Sequence, residues 1–258
     1  MHSIFVVLSM LCLIMRRLFY IFTVLLLTTS CKQNYTIEGS ATIFGLEGKK
    51  LFLRTLQKDK WIDLDSADIV HCEFKMHGTI DSTVMASLFL DNQNIMPIVL
   101  EKGRIKITMD NEEITARGTI LNNTLYEYIG LKNNIEAQFD ELSRNRTQRM
   151  IESASIRRTH NEFMEEYNEL NDKLKRLTDS FIQRNYENVL GPNLFMMSYG
   201  TTNYPLLTPD VKSIVDKAPI EFKNNYFIKQ FVSKAKENTS RLKDHNRPHS
   251  MEYNAIYQ

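Results

Sequence analysis

Thiols, imidazoles and carboxylates are the groups in this chain that could do chemistry, and their spacing is the first constraint on function. The cysteines are Cys12, Cys31 and Cys72. No Cys-x-x-Cys is present, so the dithiol that thioredoxin-type exchange requires is missing. Cys72 sits beside His71 and Glu73, followed by Lys75 and His77. Imidazole and carboxylate are metal-ligand types. His71, Glu73 and His77 strung along one strand, with a lysine among them, do not converge on one ion. A solvated strand face is expected there, and no metal site. His245 and His249 lie in a polar tail and read as a chance pair. No spacing pairs two carboxylates in the manner of a glycosidase. There is no Gly-rich phosphate loop, no Gly-x-Ser-x-Gly and no His-Glu-x-x-His. The expectation is a non-enzyme without catalytic, cofactor-binding or metal residues.

Cys31 has a different context. Arg16-Arg17 precede the apolar run Leu18–Leu27, and Thr28-Thr29-Ser30 lead into Cys31. That order has the layout of a bacterial lipoprotein export signal, with Cys31 as the lipidated residue. The run is too short to span a bilayer, which takes roughly 20 apolar residues. Thr28 stands where such signals usually carry Leu. A start at Met1 would bury Arg16 and Arg17 in a long apolar segment, at roughly 2.5–3.5 kcal/mol each. A start at Met15 removes that cost. The competing reading is a single transmembrane anchor over Ile4–Leu27. Lys32-Gln33-Asn34 after the cysteine lacks an acid-rich stretch, which favours the periplasmic face.

Removing residues 1–30 leaves 228 residues, with 30 Lys+Arg against 31 Asp+Glu. That balance gives no reason to expect nucleic acid as a partner. Cys72 is then the only thiol not assigned to the leader or the lipid, so no internal disulfide can form.

The elements that position these residues divide the chain in two. Alternation marks short strands at Tyr35–Phe44, Lys50–Leu56, Trp61–Ile69, Glu73–Ile80, Val84–Leu90, Met96–Leu100, Arg104–Met109 and Ile114–Gly118. Gly45, Gly48, Lys58-Asp59, Asp81-Ser82, Asp91-Asn92 and Lys102-Gly103 supply turns. Period two fits sheets with one face buried. After Gly118-Thr119 the period changes. Phe163, Tyr167, Leu170, Leu174, Leu177 and Phe181 form a heptad-like stripe, with a looser one through Leu125, Ile129, Ile135, Phe139 and Leu142. The spacing predicts two helices in an antiparallel hairpin, with a bend within Ser143–Ser155. Gly191-Pro192 is expected to stop the second helix. Thr208-Pro209-Asp210 reads as a helix start, and Ala218-Pro219 begins another helix to about Lys236.

The expected fold class is α+β: an N-terminal antiparallel β-sandwich, a helical hairpin and short C-terminal helices. The expected units are 1–30 signal peptide, 31–120 sandwich, 121–237 helical domain and 238–258 disordered tail.

Three segments carry a family resemblance. They are Asp65-Ser66-Ala67 with Glu73-Phe74-Lys75-Met76-His77-Gly78, then Val99-Leu100-Glu101-Lys102-Gly103-Arg104-Ile105, then Arg117-Gly118-Thr119-Ile120-Leu121-Asn122. Together they resemble the uncharacterised β-sandwich domain (domain of unknown function, 4369 family) of Bacteroidetes envelope lipoproteins. In that family a thioredoxin- or peroxiredoxin-like domain usually follows. Phe181-Ile182, Asn185, Asn188 and Gly191 resemble the family's helical connector. The resemblance implies an envelope setting linked to thiol redox. The family usually has Gly at the position of Cys72, which implies an exposed turn with φ > 0. Alternation instead groups Cys72 with Val70, Phe74 and Met76 on a buried face. Asp65-Ser66-Ala67 and Asp81-Ser82-Thr83 also resemble a Bacteroidetes O-glycosylation signal, though Asp-Ser is ordinary turn chemistry.

The expected function is a non-catalytic, lipid-anchored binding or scaffold module of the cell envelope, on the periplasmic face. The alternative is an accessory part of a thiol-redox system, with a separate thioredoxin-like envelope protein as partner. Membrane contact is expected through the N-terminal lipid.

Overall fold

The computed structural model describes residues 32–58, 60–152 and 156–245. Residues 1–31, where an export signal and the lipidated Cys31 are expected, Asp59, residues 153–155 and residues 246–258, including His249, lie outside the described residues. Eight strands come first: β1 (Gln33–Ala41), β2 (Lys50–Gln57), β3 (Lys60–Asp68), β4 (Glu73–Ile80), β5 (Val84–Leu90), β6 (Gln93–Leu100), β7 (Gly103–Met109) and β8 (Ile114–Arg117). Six helices follow: α1 (Ile120–Glu152), α2 (Ile156–Arg184), α3 (Leu190–Tyr199), α4 (Pro209–Lys217), α5 (Ile220–Asn224) and α6 (Tyr226–His245). The architecture is α+β, with two four-stranded sheets ahead of the helices.

One sheet has the order β4-β1-β7-β8 and the other β3-β2-β5-β6. Inward residues of both sheets fill one core: Ile37, Met76, Ile105 and Ile107 from the first, Leu51, Leu53, Leu88 and Ile98 from the second. The pairing departs from purely antiparallel at one place. β1 runs parallel to β7, with Tyr35 opposite Gly103. Between them the chain crosses to the other sheet, returns for β4, then builds β5 and β6. A parallel neighbour needs such a long crossover.

Among the described residues, the outer strands β3, β4, β6 and β8 each carry a feature that makes a poor edge template. β6 carries Pro97, which has no N–H to offer. Beside it, Asn122 is fully buried and acts as a short false strand. Its side-chain oxygen accepts from Val99 N at 3.0 Å, and its Nδ2 donates to Val99 O at 2.7 Å and to Thr119 Oγ1 at 2.8 Å. Tyr126 donates its hydroxyl to Pro97 O at 3.0 Å. β3 and β4 are the edges on the other side. The register of β3 slips between Leu53 and Arg54 of its partner, a bulge that spoils the edge as a template. Asp65 then bridges the two sheets, accepting from Ser66 N at 2.7 Å and from His77 N at 3.2 Å. The last edge, β8, has four residues.

The same bonds set the course of α1. Asn122 meets Val99 and Tyr126 meets Pro97. Four helical residues advance about 6 Å, matching about 6.6 Å for two strand residues. The helix therefore runs along β6 against its direction. At about 50 Å for 33 residues, α1 outreaches the sheet, whose β6 is about 26 Å long.

α2 packs antiparallel on α1. Tyr128 stacks on Phe181 with ring centroids 4.5 Å apart, Phe139 meets Tyr167 at 5.1 Å, and Arg149 pairs with Glu166 at 2.6 Å. Of the segment 143–155 expected to bend, residues 143–152 continue α1 as helix, and residues 153–155 lie outside the described residues.

Three boundaries differ from expectation. Gly191-Pro192 does not stop α2; both lie in the first turn of α3, where Pro needs no N–H. α2 ends at Arg184 because Asn185 turns its Nδ2 onto Phe181 O at 2.9 Å. Asn188 then joins Asn185 Oδ1 to Leu190 N. Gly191 presses against Asn185 O, where a Cβ would lie at 2.3 Å. The helix expected from Ala218-Pro219 is two helices. Asn225 ends α5 and caps α6, accepting from Phe227 N at 3.1 Å. The tail expected from Asn238 is helical as far as His245. Asn238 is buried at 1 % exposure and donates Nδ2 to Pro205 O at 2.9 Å. The start at Thr208 stands, with its hydroxyl accepting from Val211 N and Pro209 at the first helical position.

Candidate functional site

Cys72 belongs to a turn, not to a strand face. Val70 and Glu73 exchange backbone hydrogen bonds at 2.9 and 3.1 Å, and His71 and Cys72 between them have φ of 54° and 62°. Positive φ at both central positions is the type I′ pattern. Cys72 is exposed and forms no disulfide. The buried-face reading therefore fails, because the period-two pattern stops at Glu73. His71 leaves the strand for the same reason. Glu73, Lys75 and His77 stay on the solvated face of β4, where Lys75 pairs with Glu38 at 3.1 Å. Among the described residues, no group of three or more His, Cys, Asp or Glu could hold a metal ion.

Glu47 straddles the Cys72 turn. Its two carboxylate oxygens accept from His71 N at 2.8 Å and Cys72 N at 2.9 Å. The bonds from Cys72 and His71 hold the Glu47 carboxyl below the ordinary carboxylate range. The thiol is thus displayed on a turn braced by the Glu47 carboxylate, and no second cysteine occurs among the described residues.

The residues that carry the family resemblance do structural work. Asp65 links β3 to β4, and Asn122 takes both backbone groups of Val99 on β6. Glu101 accepts from Leu121 N at 2.8 Å and Asn122 N at 3.3 Å, so a carboxylate sits on the exposed amides of α1's first turn. Gly118 has φ of 101°, and a Cβ there would lie 2.6 Å from Arg104 O. Tyr35 is buried against Gly78, and burial raises its hydroxyl pKa, with Asp65 adding to the rise.

The concave site lies where the sandwich meets the helices. A cleft of about 580 Å³ opens between β5 and β6, α1, α2 and α3. Its apolar wall is built by Leu125, Ile129, Leu174, Leu194 and Met197. Polar groups converge on one side. Tyr128 Oη and Thr178 Oγ1 are 3.1 Å apart, and Lys175 pairs with Asp179 at 3.0 Å and Asp210 at 3.1 Å. Tyr199 donates its hydroxyl to Asp179. The Asp179 bond, assisted by Asp210, raises Lys175 above the ordinary lysine range. Burial pushes the Tyr199 hydroxyl well up, and Asp179 adds to it. A lysine so paired stays protonated, and a tyrosine so buried stays neutral. Lys175 and Tyr199 are thus committed to Asp179, and Lys132, the other lysine of the lining, pairs with Glu136. The rest of the lining is apolar surface with the amides of Asn133, Asn171 and Asn193 and the hydroxyl of Ser198.

This cleft was not legible as a site in the sequence. Leu125, Ile129 and Leu174 of its wall belong to the helical stripes, and those stripes read as core; Leu194 and Met197 come from α3, outside both stripes. The stripe is in fact only partly covered, with Leu170, Leu174 and Leu177 half-buried. Among the described residues, no helix is long and apolar enough to cross a membrane.

A search of the curated proteins gives no match. Residues 35–125 match a family model, from Tyr35 through the first turns of α1 as far as the wall residue Leu125. Over that stretch the chain carries the domain of unknown function (DUF4369).

Proposed function

We propose that the protein is a non-catalytic, lipid-anchored binding module of the cell envelope, held through Cys31 on the periplasmic face. The observation that carries the binding part is the cleft: about 580 Å³, apolar on its walls, with its ionisable groups already paired. Such a concavity is the usual form of a small-ligand site. A neutral apolar probe, N-phenyl-1-naphthylamine, should gain fluorescence on binding the chain from Lys32, which holds every described element. Met197→Trp, at an exposed rim position, should fill the cleft and remove the signal. An unchanged signal with this variant would refute the cleft as the site. The anchor has its own test: a Cys31→Ser protein that still partitions fully with membranes would remove it from the reading.

A second reading, an accessory role beside a thioredoxin-like partner, is favoured by one observation, the display of Cys72 on an exposed turn. Trapping of a Cys72-dependent mixed disulfide with an envelope thioredoxin-like protein would support it. Absence of any such adduct under oxidising conditions counts against it.

A further inference from the structure

We propose that a second groove, formed by α4, α5 and α6, binds an anionic amphiphile: an aliphatic body with a phosphate or carboxylate head. The groove has a volume of about 450 Å³ and lies among the C-terminal helices and Leu207 just before them, outside residues 35–125. Its lining brings four lysines together. Lys212 comes from α4, Lys223 from α5, and Lys229 and Lys236 from α6. One acid, Asp216, faces them.

Asp216 does not neutralise the group. Its carboxylate pairs with Lys212 at 2.5 Å, and Lys223 Nζ donates to the Asp216 carbonyl at 3.1 Å. Lys229 and Lys236 form no ion pair among the described residues. They lie seven residues apart, on one face of α6. An anion entering here meets two ammonium groups in no close ion pair, of which Lys236 also feels the Asp216 charge, and two more nearby. The floor between them is apolar: Val215, Ile228 and Val232, with Ile228 fully buried. A free inorganic anion would gain nothing from that floor, and a neutral hydrocarbon would gain nothing from the lysines. The ligand that uses both carries a charge at one end and a chain at the other.

The groove is a different place from the cleft of the preceding section, so the two readings fail separately. Dodecyl phosphate, kept below its micelle concentration, is the probe, titrated by calorimetry into the chain from Lys32. Saturable binding is expected that weakens with added salt. Lys229→Glu with Lys236→Glu should weaken it by about tenfold or more, while the unfolding midpoint stays close to wild type, because both side chains are exposed and unpaired. Met197→Trp should leave it unchanged. Dodecyl maltoside, with the same chain and no charge, and inorganic phosphate, with the charge and no chain, should each bind much more weakly. Equal binding of either one overturns the proposal. So does dodecyl phosphate binding that survives the double charge reversal or that is lost in Met197→Trp. Co-pelleting with vesicles of about one-third phosphatidylglycerol in phosphatidylcholine separates the sources. Pelleting lost in the double variant assigns a bilayer headgroup, and no pelleting alongside probe binding assigns a free amphiphile.

Discussion

The sandwich and the helical region use their polar side chains in opposite ways. In the sandwich, Asp65, Glu101, Asn122 and Glu47 turn inward on the backbone, closing edges, capping a helix and bracing a turn. In the helical region, Lys132, Lys175, Thr178 and Tyr199 line a cleft, and four lysines line a groove. The family match covers the first kind of region and stops where the second begins. The stretch that matches the family model is therefore mostly scaffold and joints. The cleft and the groove are lined mostly by helices outside it.

That contrast can be broken most severely at Gly118. Its φ of 101° and the nearness of Arg104 O leave no room for a Cβ. Gly118→Ala should cost about 3 kcal/mol or more, measured by urea unfolding. A cost below about 0.5 kcal/mol would mean that the joint between β8 and α1 is not the fixed point described here.

Next in size is Asn122→Leu. It leaves Val99 N–H and C=O buried without partners, at an expected cost of about 2–3 kcal/mol. Asn171→Ala, at an exposed position on the cleft rim, should stay within about 0.5 kcal/mol. Equal costs for the two would erase the distinction between joint and surface.

Cys72→Gly should act in the other direction. With φ of 62°, a residue with a side chain is strained at this turn, so glycine should stabilise by up to about 1 kcal/mol. Native Cys72 should also react rapidly with a soluble thiol reagent. Slow labelling together with destabilisation by glycine would contradict the exposed turn.

The smallest effect is a pH dependence. The Glu47 carboxyl is held below its ordinary value by the bonds from Cys72 and His71. Its contribution is therefore complete above the unfolded carboxylate pKa and lost as pH falls through the lower folded one. Glu47→Gln should be less stable than wild type near neutrality, and the gap should close in acid. A gap that stays constant down to about pH 3 would place the effect elsewhere.

Much of the fold was legible because alternation is a strong signal wherever one face is buried. β4 and β5 match their expected spans, and the stripe through Phe163 and Phe181 marks α2. Gly191-Pro192 misled because a proline at the start of a helix looks, in sequence, like a proline after its end. The tail from Asn238 misled because one buried asparagine in a polar segment reads as solvated. The continuing stripe Phe231, Ala235, Asn238 was the available signal. The edge-closing role of Asn122 has no sequence signature, since a hydrogen-bonding asparagine and a free one look alike. The four lysines of the groove span 25 positions on three helices, and only packing brings them together. Lys229 and Lys236, seven apart, were the one hint.

The parallel pairing of β1 with β7 also sets an order of events. β2, β3, β5 and β6 join mostly to near neighbours in sequence, so their sheet can close as soon as it is made. β1 sits in the middle of the other sheet, and its parallel partner lies 68 positions away, Tyr35 to Gly103. Loop closure over that span is slow relative to a hairpin. β1, made before its sandwich partners, is thus among the last of the eight described strands to be enclosed, and α1 has no finished edge to dock on until β6 is in place. Contact order makes the amino-terminal strand a late arrival in its own domain.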